Sequence, residues 1–177
     1  MKEEIICAGF GGQGVMLLGK VIASAALKDN RHLTWIPSYG AAMRGGTAFC
    51  MVVIADCEIA SPYVDKCDSL FVFNQPSWDK FKSKVKKGGL VLLNSTLIKD
   101  EKPSGNIEVQ RIPFTKIASS LGDVRVANMV ALGAYLKVKN ILKRKTTLEV
   151  FSEITAPSKR HLIEINKQAL EKGYWAW

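Results

Sequence analysis

Histidine and paired cysteine are the scarce items in this sequence, and each scarcity removes a class of chemistry. The two histidines among 177 residues are His32 and His161. Neither sits in a G-x-S-x-G or Cys-His context, so no nucleophile–base pair for covalent catalysis is apparent, and both read as surface residues. The four cysteines, Cys7, Cys50, Cys57 and Cys67, contain no C-x-x-C. Structural zinc and iron–sulfur sites usually draw two ligands from one short loop, so no metal centre held by this chain is expected, and the cysteines read as buried thiols of a reducing compartment. Long apolar runs are missing too. Phe49 to Ala55 is typical, far short of the roughly 20 residues of a membrane span. The start, Met1-Lys2-Glu3-Glu4, passes straight into strand-like sequence rather than into a basic and then an apolar leader. A soluble, cytoplasmic protein that does not engage membranes is the expectation.

What is present is a basic chain, with 25 Lys and Arg against 16 Asp and Glu. That balance attracts phosphate ligands, acidic protein surfaces or nucleic acid. The lysines are dispersed through helix-like segments, such as Lys80, Lys82, Lys84, Lys86 and Lys87, without interleaved aromatics, so they read as solvated faces and nucleic acid is not an expected partner.

The length and a 47% hydrophobic content suit one core and hence one domain over 1–177. Glu4 to Ala8 is a short apolar run consistent with a buried strand. From Gln13 to Leu27, the residues Val15, Leu18, Val21, Ile22 and Ala25 recur at helical spacing. Strands follow at Leu33 to Pro37, Thr47 to Ala55 and Ser69 to Asn74, then a helix opened by Pro76-Ser77 and running through about Val85. Lys87-Gly88-Gly89 turns the chain into a strand at Leu90 to Asn94, and Ile107 to Ile112 fits an outer strand. Thr115 is placed to cap a short helix ending near Gly122. The last third is helical: Asn128 to Leu142, apolar enough to be buried on more than one side, then Thr147 to Ile154 and Lys159 to Lys172. Alternation of this kind predicts an α/β fold, a mostly parallel sheet with helices on both faces, because parallel strands need crossover connections.

Ligands of such sheets collect beyond the carboxyl ends of the strands. The sequence puts its unusual loops there: Gly9 to Gly14, Ser38 to Gly46, Asn74 to Ser77 and Asn94 to Thr96. Gly9, Gly11 and Gly14 match G-x-G-x-x-G, with Gly12 a fourth glycine, directly between a strand and a helix. Such a loop permits a tight turn, bare backbone against a phosphate and close packing of helix on strand, with the helix N-terminus facing the anion. A loop used only for backbone packing or subunit contact is the alternative. A dinucleotide further demands an acid at the end of strand two. That strand ends in Ile36-Pro37-Ser38-Tyr39, and the nearby Asp29 precedes it, so NAD and FAD are disfavoured. A P-loop fails as well, because Gly19-Lys20 lies inside the helix.

The runs Gly9-Phe10-Gly11-Gly12-Gln13-Gly14, Ser38-Tyr39-Gly40, Arg44-Gly45-Gly46, Lys87 to Ser95 and Asn128 to Gly133, in that order, resemble the gamma subunit of 2-oxoacid:ferredoxin oxidoreductases. The likeness covers nearly the whole chain and is greatest to the 2-oxoglutarate class, with the indolepyruvate enzyme's small subunit a near neighbour. The resemblance implies a Rossmann-like fold and a subunit inactive alone. With alpha and beta partners, and in some complexes a delta subunit, it converts a 2-oxoacid and coenzyme A to acyl-CoA and carbon dioxide, and the complex reduces ferredoxin. It implies that thiamine diphosphate, magnesium and iron–sulfur clusters belong to partner subunits and that coenzyme A reaches the glycine loop. On that basis Gly9, Gly11, Gly12, Gln13 and Gly14, with Ser38, Tyr39, Arg44 and Asn128, are the candidate ligand-binding residues. Arg44 could equally anchor its own loop, and Asn128 could cap the helix it begins. A free-standing nucleotide-binding regulatory domain is the competing class. The tail Tyr174-Trp175-Ala176-Trp177 suits an interface or packing on its own domain.

Overall fold

A computed structural model describes residues 1–38, 47–99 and 105–176. Six strands form one sheet in the order β2-β3-β1-β4-β5-β6: β1 (Lys2–Gly9), β2 (His32–Ser38), β3 (Ala48–Ala55), β4 (Cys67–Val72), β5 (Val85–Asn94) and β6 (Glu108–Ile112). Five strands share a direction. β3 runs antiparallel to both neighbours, β1 and β2. Only positions 39–47 separate β2 from β3, too few for the crossover of a dozen or more residues that a parallel pair requires. The expectation of a mostly parallel α/β sheet therefore holds, with one reversed strand whose direction follows from connection length.

Alternate residues of β1 enter opposite cores. Ile5 and Cys7 join one, Ile6 and Ala8 the other, as the two-residue strand period requires. The first core contains helix α1 (Val15–Lys28) and the C-terminal helices α4 (Ala127–Lys139), α5 (Arg144–Ile154) and α6 (Ile163–Tyr174), with α3 (Phe114–Ser120) at its edge. The second is closed by Trp78 and Phe81 of the seven-residue α2 (Gln75–Phe81), together with Val64 and Ile98. Helices do lie on both faces, but very unevenly.

Several boundaries differ from the sequence reading. After α2 the chain makes a 3₁₀ turn at Lys82–Lys84, and β5 starts at Val85 rather than Leu90. Gly88, at φ 76, lies within that strand, where pairing with β4 slips register; Lys87-Gly88-Gly89 is an irregularity in a strand, not a turn before one. Thr115 does not cap α3. It belongs to the first helical turn, and its amide and hydroxyl both bond the side chain of Asn94. Lys159 falls in a 3₁₀ segment, Pro157–Leu162, that precedes α6. His32 and His161 are exposed as expected, whereas Cys57, expected to be buried, is also exposed. Burial pushes the Cys67 thiol up to about 12.

Helix α4 is buried from Ala127 through Leu136. It lies beneath the sheet and against α6, and the two helices meet at a pair of glycines. A Cβ on Gly133 would strike the backbone of Leu170, and one on Gly173 the backbone of Val130. Backbone cannot swing aside as a side chain can. Gly133→Ala is therefore expected to destabilise the chain by about 3 kcal/mol, the upper range for overpacking a core, as a lowered urea midpoint with an unchanged slope; wild-type stability in this variant would contradict the packing.

Candidate functional site

The topology reverses between β1 and β4: after β1 the chain goes by way of α1 to β2 and β3 on one side, while β4 to β6 continue on the other. Open α/β sheets bind ligands at such a reversal, outside the carboxyl ends. The glycine loop stands there. Gly9 is buried at the end of β1, and a Cβ on it would lie 2.7 Å from Gln13 Oε1 and 3.0 Å from side-chain atoms of Phe73 and Val15. Gly11 and Gly12 are exposed with nothing within 4 Å of the space a Cβ would take. Their backbone is presented to open solvent.

Gly12 and Gly14 have φ of 93° and 73°, in the left-handed region that disfavours other residues. Gly14 immediately precedes α1, whose first turn holds no acidic residue, so no carboxylate there offsets the positive end of the helix dipole. The Gly14 carbonyl accepts from Leu18 N at 2.9 Å and Asn128 Nδ2 at 3.2 Å. A Cβ on Gly14 would stand 2.5 Å from that Asn128 nitrogen.

A cavity of about 470 Å³ opens against this loop, within the usual range for small-molecule sites. Phe10, Gly11, Gly12 and the first turn of α1 form one wall, and Arg125, Lys159, Leu162 and Asn166 form another. Asp123 fixes Arg125 with two charge-assisted bonds, Nε to Oδ1 at 2.9 Å and Nη2 to Oδ2 at 2.7 Å. The Arg125 guanidinium holds the Asp123 carboxyl below the usual carboxylate range. Most of the Arg125 side chain nevertheless stays exposed, at 70%.

The nine sequence candidates separate on this geometry. Gly11, Gly12, Gly14 and Asn128 line the cavity. Gly9 and Gln13 lie behind it: Gln13 Oε1 accepts from Phe10 N at 2.7 Å and Asn74 Nδ2 at 3.0 Å, its oxygen turned into the loop. Ser38 ends β2 opposite Phe49, with β3 between it and Gly9, and does not line the cavity. Tyr39 and Arg44 lie outside the described residues. Asn128 sits within the first turn of α4 rather than ahead of it, so it does not take the cap position. Its Oδ1 accepts from Met129 N at 2.8 Å while Nδ2 grips Gly14. Sequence reading missed the opposite wall altogether. Asp123, Arg125, Lys159 and Asn166 carry no shared motif, and the fold alone brings them to a loop more than a hundred positions away.

The glycine loop thus stands at the reversal of an α/β sheet, with a helix N-terminus, Arg125 and Lys159 around one cavity. A family model described as pyruvate ferredoxin/flavodoxin oxidoreductase matches residues 4–176, and the chain belongs to that family. It is 39% identical to the ketoisovalerate oxidoreductase subunit VorA of Methanothermobacter marburgensis over 99% of its own length but 37% of the relative's. It is 37% identical to the 2-oxoglutarate synthase subunit KorC of Methanocaldococcus jannaschii over 98% of this chain and 93% of that one. The chain thus spans little more than a third of the two VorA relatives it matches. Among solved structures, the gamma subunit of a keto/oxoacid ferredoxin oxidoreductase from Geobacter sulfurreducens PCA superposes with a TM-score of 0.84 at 29% identity, over 97% of this chain and 96% of the other. A 2-oxoglutarate:ferredoxin oxidoreductase from Magnetococcus marinus, solved with 2-oxoglutarate, coenzyme A and succinyl-CoA bound, shares the fold with a TM-score of 0.89 at 24% identity, over 98% of this chain and 30% of that one.

Within the described residues, no group of three or more His, Cys, Asp or Glu side chains is placed to hold a metal ion, and no helix is long and apolar enough to cross a membrane. The thiols do not converge as an iron–sulfur donor set would: Cys7 and Cys50 enter one core and Cys67 the other, with Cys57 on the surface.

The glycines make unequal demands. Gly11→Ala, which meets open space, should leave stability within about 0.5 kcal/mol of wild type. Gly14→Ala combines a left-handed backbone with a clash on Asn128 and should cost about 3 kcal/mol. Thermal unfolding of the two variants tests the order; equal losses would remove Asn128 as the reason for glycine at 14.

Proposed function

We propose that this chain is the gamma subunit of a thiamine-dependent 2-oxoacid:ferredoxin oxidoreductase and supplies one side of its coenzyme A site. The observation that carries the reading is the cavity itself, about 470 Å³, lined by exposed glycine backbone and the start of α1 together with Arg125 and Lys159. Coenzyme A is a polyanion with a long uncharged arm. Backbone amides at a helix N-terminus suit a phosphate, the Nη1 edge of Arg125, left over from the Nε and Nη2 bonds to Asp123, suits another, and the apolar lining from Val15, Leu17, Val126 and Leu162 suits the uncharged part.

The residues of this chain bind and orient. The one carboxylate lining the cavity among the described residues, Asp123, is held low by Arg125 and is a poor proton acceptor near neutral pH. Thiamine diphosphate, magnesium and iron–sulfur clusters are assigned to the partner subunits, where they supply decarboxylation and electron transfer. The 2-oxoglutarate class is the favoured substrate class, since the KorC relative is a chain of comparable length matched over 93% of itself.

The chain purified from its native source is expected to elute in a larger complex that carries iron and thiamine diphosphate; elution alone would overturn the assignment. In the assembled enzyme, Gly12→Leu or Lys159→Glu should raise the KM for coenzyme A about tenfold, equivalent to about 1.4 kcal/mol of binding, with kcat largely retained. An unchanged KM in both variants would remove the loop and its opposite wall from coenzyme A binding.

A further inference from the structure

We propose that Asn74 is a positioning residue for the glycine loop: across the reversal between β1 and β4 it holds Gln13, and through Gln13 the Phe10 amide, in the shape that presents Gly11 and Gly12 to an anion. This rests on the anion-binding reading above. Asn74 is 3% exposed and follows β4. The parallel strands pair at Ala8 and Val72, and Phe73 N donates to Ala8 O at 3.0 Å, which brings the next residue, Asn74, alongside the loop.

The hydrogen-bond directions leave one arrangement. Ser77 N and Phe10 N can only donate. Asn74 must therefore turn Oδ1 to Ser77 N, at 2.9 Å, which leaves Nδ2 for Gln13. Gln13 must turn Oε1 toward Phe10 N, at 2.7 Å, where the same oxygen receives Asn74 Nδ2 at 3.0 Å. Flipping either amide would set donor against donor. Gln13 N also donates to Phe10 O at 3.2 Å, so residues 10–13 are closed twice, once through backbone and once through the Gln13 side chain. Glycine at position 9 makes this closure possible, because its missing Cβ leaves the space in which Gln13 Oε1 sits. Neither Asn74 nor Gln13 lines the cavity, so both act on a ligand only through the loop.

Two substitutions separate this role from helix capping. Asn74→Ser keeps an oxygen able to cap α2 but is too short to reach Gln13. Gln13→Met removes the acceptor at similar size and leaves the α2 cap untouched. The assembled enzyme is titrated with coenzyme A by calorimetry, and exchange of the Phe10 amide in the full-length chain is followed by NMR. Each variant should bind coenzyme A about five- to tenfold more weakly, the effect of losing one hydrogen bond. The double variant should be no weaker than the worse single, because both remove the same contact. Phe10 exchange should accelerate in both. Wild-type affinity in either variant, losses that multiply in the double, or unaltered Phe10 exchange would overturn the proposal; if Asn74→Ser fails to fold, Gln13→Met decides through the same two readouts. An assembled wild-type enzyme whose coenzyme A affinity does not respond to Gly12→Leu or Lys159→Glu, with Phe10 exchange still accelerated in the Asn74 and Gln13 variants, would sink the coenzyme A reading and leave the brace standing.

Discussion

The contact between Asn128 and the Gly14 carbonyl is the joint on which the site depends, because it ties the end of the glycine loop to the most deeply buried helix. Helix α4 runs alongside β1 in the opposite sense. Near its start, Asn128 bonds the loop just beyond the carboxyl end of β1. Near its end, Tyr135 and Lys139 reach Glu3 at the amino end of the same strand, with Tyr135 OH to Glu3 Oε1 at 3.3 Å and Lys139 Nζ to Oε1 at 3.0 Å. Ser69 of β4 donates to that carboxylate at 2.6 Å. Glu3 is a buried charge, tolerable because it is paired and hydrogen-bonded. One helix thus fixes β1 at both ends, and α6 clamps it between them through Gly133 and Gly173.

That rigidity explains why so open a loop keeps a defined shape. Exposed glycine backbone is costly to order, since glycine loses more conformational freedom than any other residue. Four constraints offset the cost: the Asn128 grip on Gly14, the Gln13 bond to Phe10, the Asn74 bond to Gln13 and the buried position of Gly9. Asn94 extends the pattern along the carboxyl edge. It donates to Phe73 O and Thr115 Oγ1 and accepts from Thr115 N. Neutral carboxamides, which donate and accept at once, join successive strand ends there without placing a negative charge beneath the glycine loop.

Much of this is legible in the sequence where the signal is local. The order of strands and helices, the glycine loop between β1 and α1, and the all-round burial of α4 follow from residue periodicity and glycine spacing. The direction of β3 depends on connection length rather than composition, and the early start of β5 is hidden because Lys86, Lys87, Gly88 and Gly89 look like a turn. Position in the loop suggests that Gln13 faces the ligand; its oxygen turns inward because Gly9 leaves room and Asn74, 61 positions on, supplies a donor. Arg125, Lys159 and Asn166 are invisible for the same reason. Their place in the cavity comes from how α4 packs on α1 and α6 on α4, and no short-range pattern encodes it.

The cavity's exterior bears on how the domain is used. Phe10, Leu17 and Val124 are exposed apolar side chains at 39%, 38% and 55%; two of them line the cavity and the third lies between its lining residues Asp123 and Arg125. The chain matches the KorC relative over nearly all of that protein and the VorA relative over little more than a third, so the same domain occurs both as a chain of its own and within a longer one. In this chain the loop, its braces, Arg125 and Lys159 all lie within one fold. The hydrogen bonds that shape the loop close within residues 8–128.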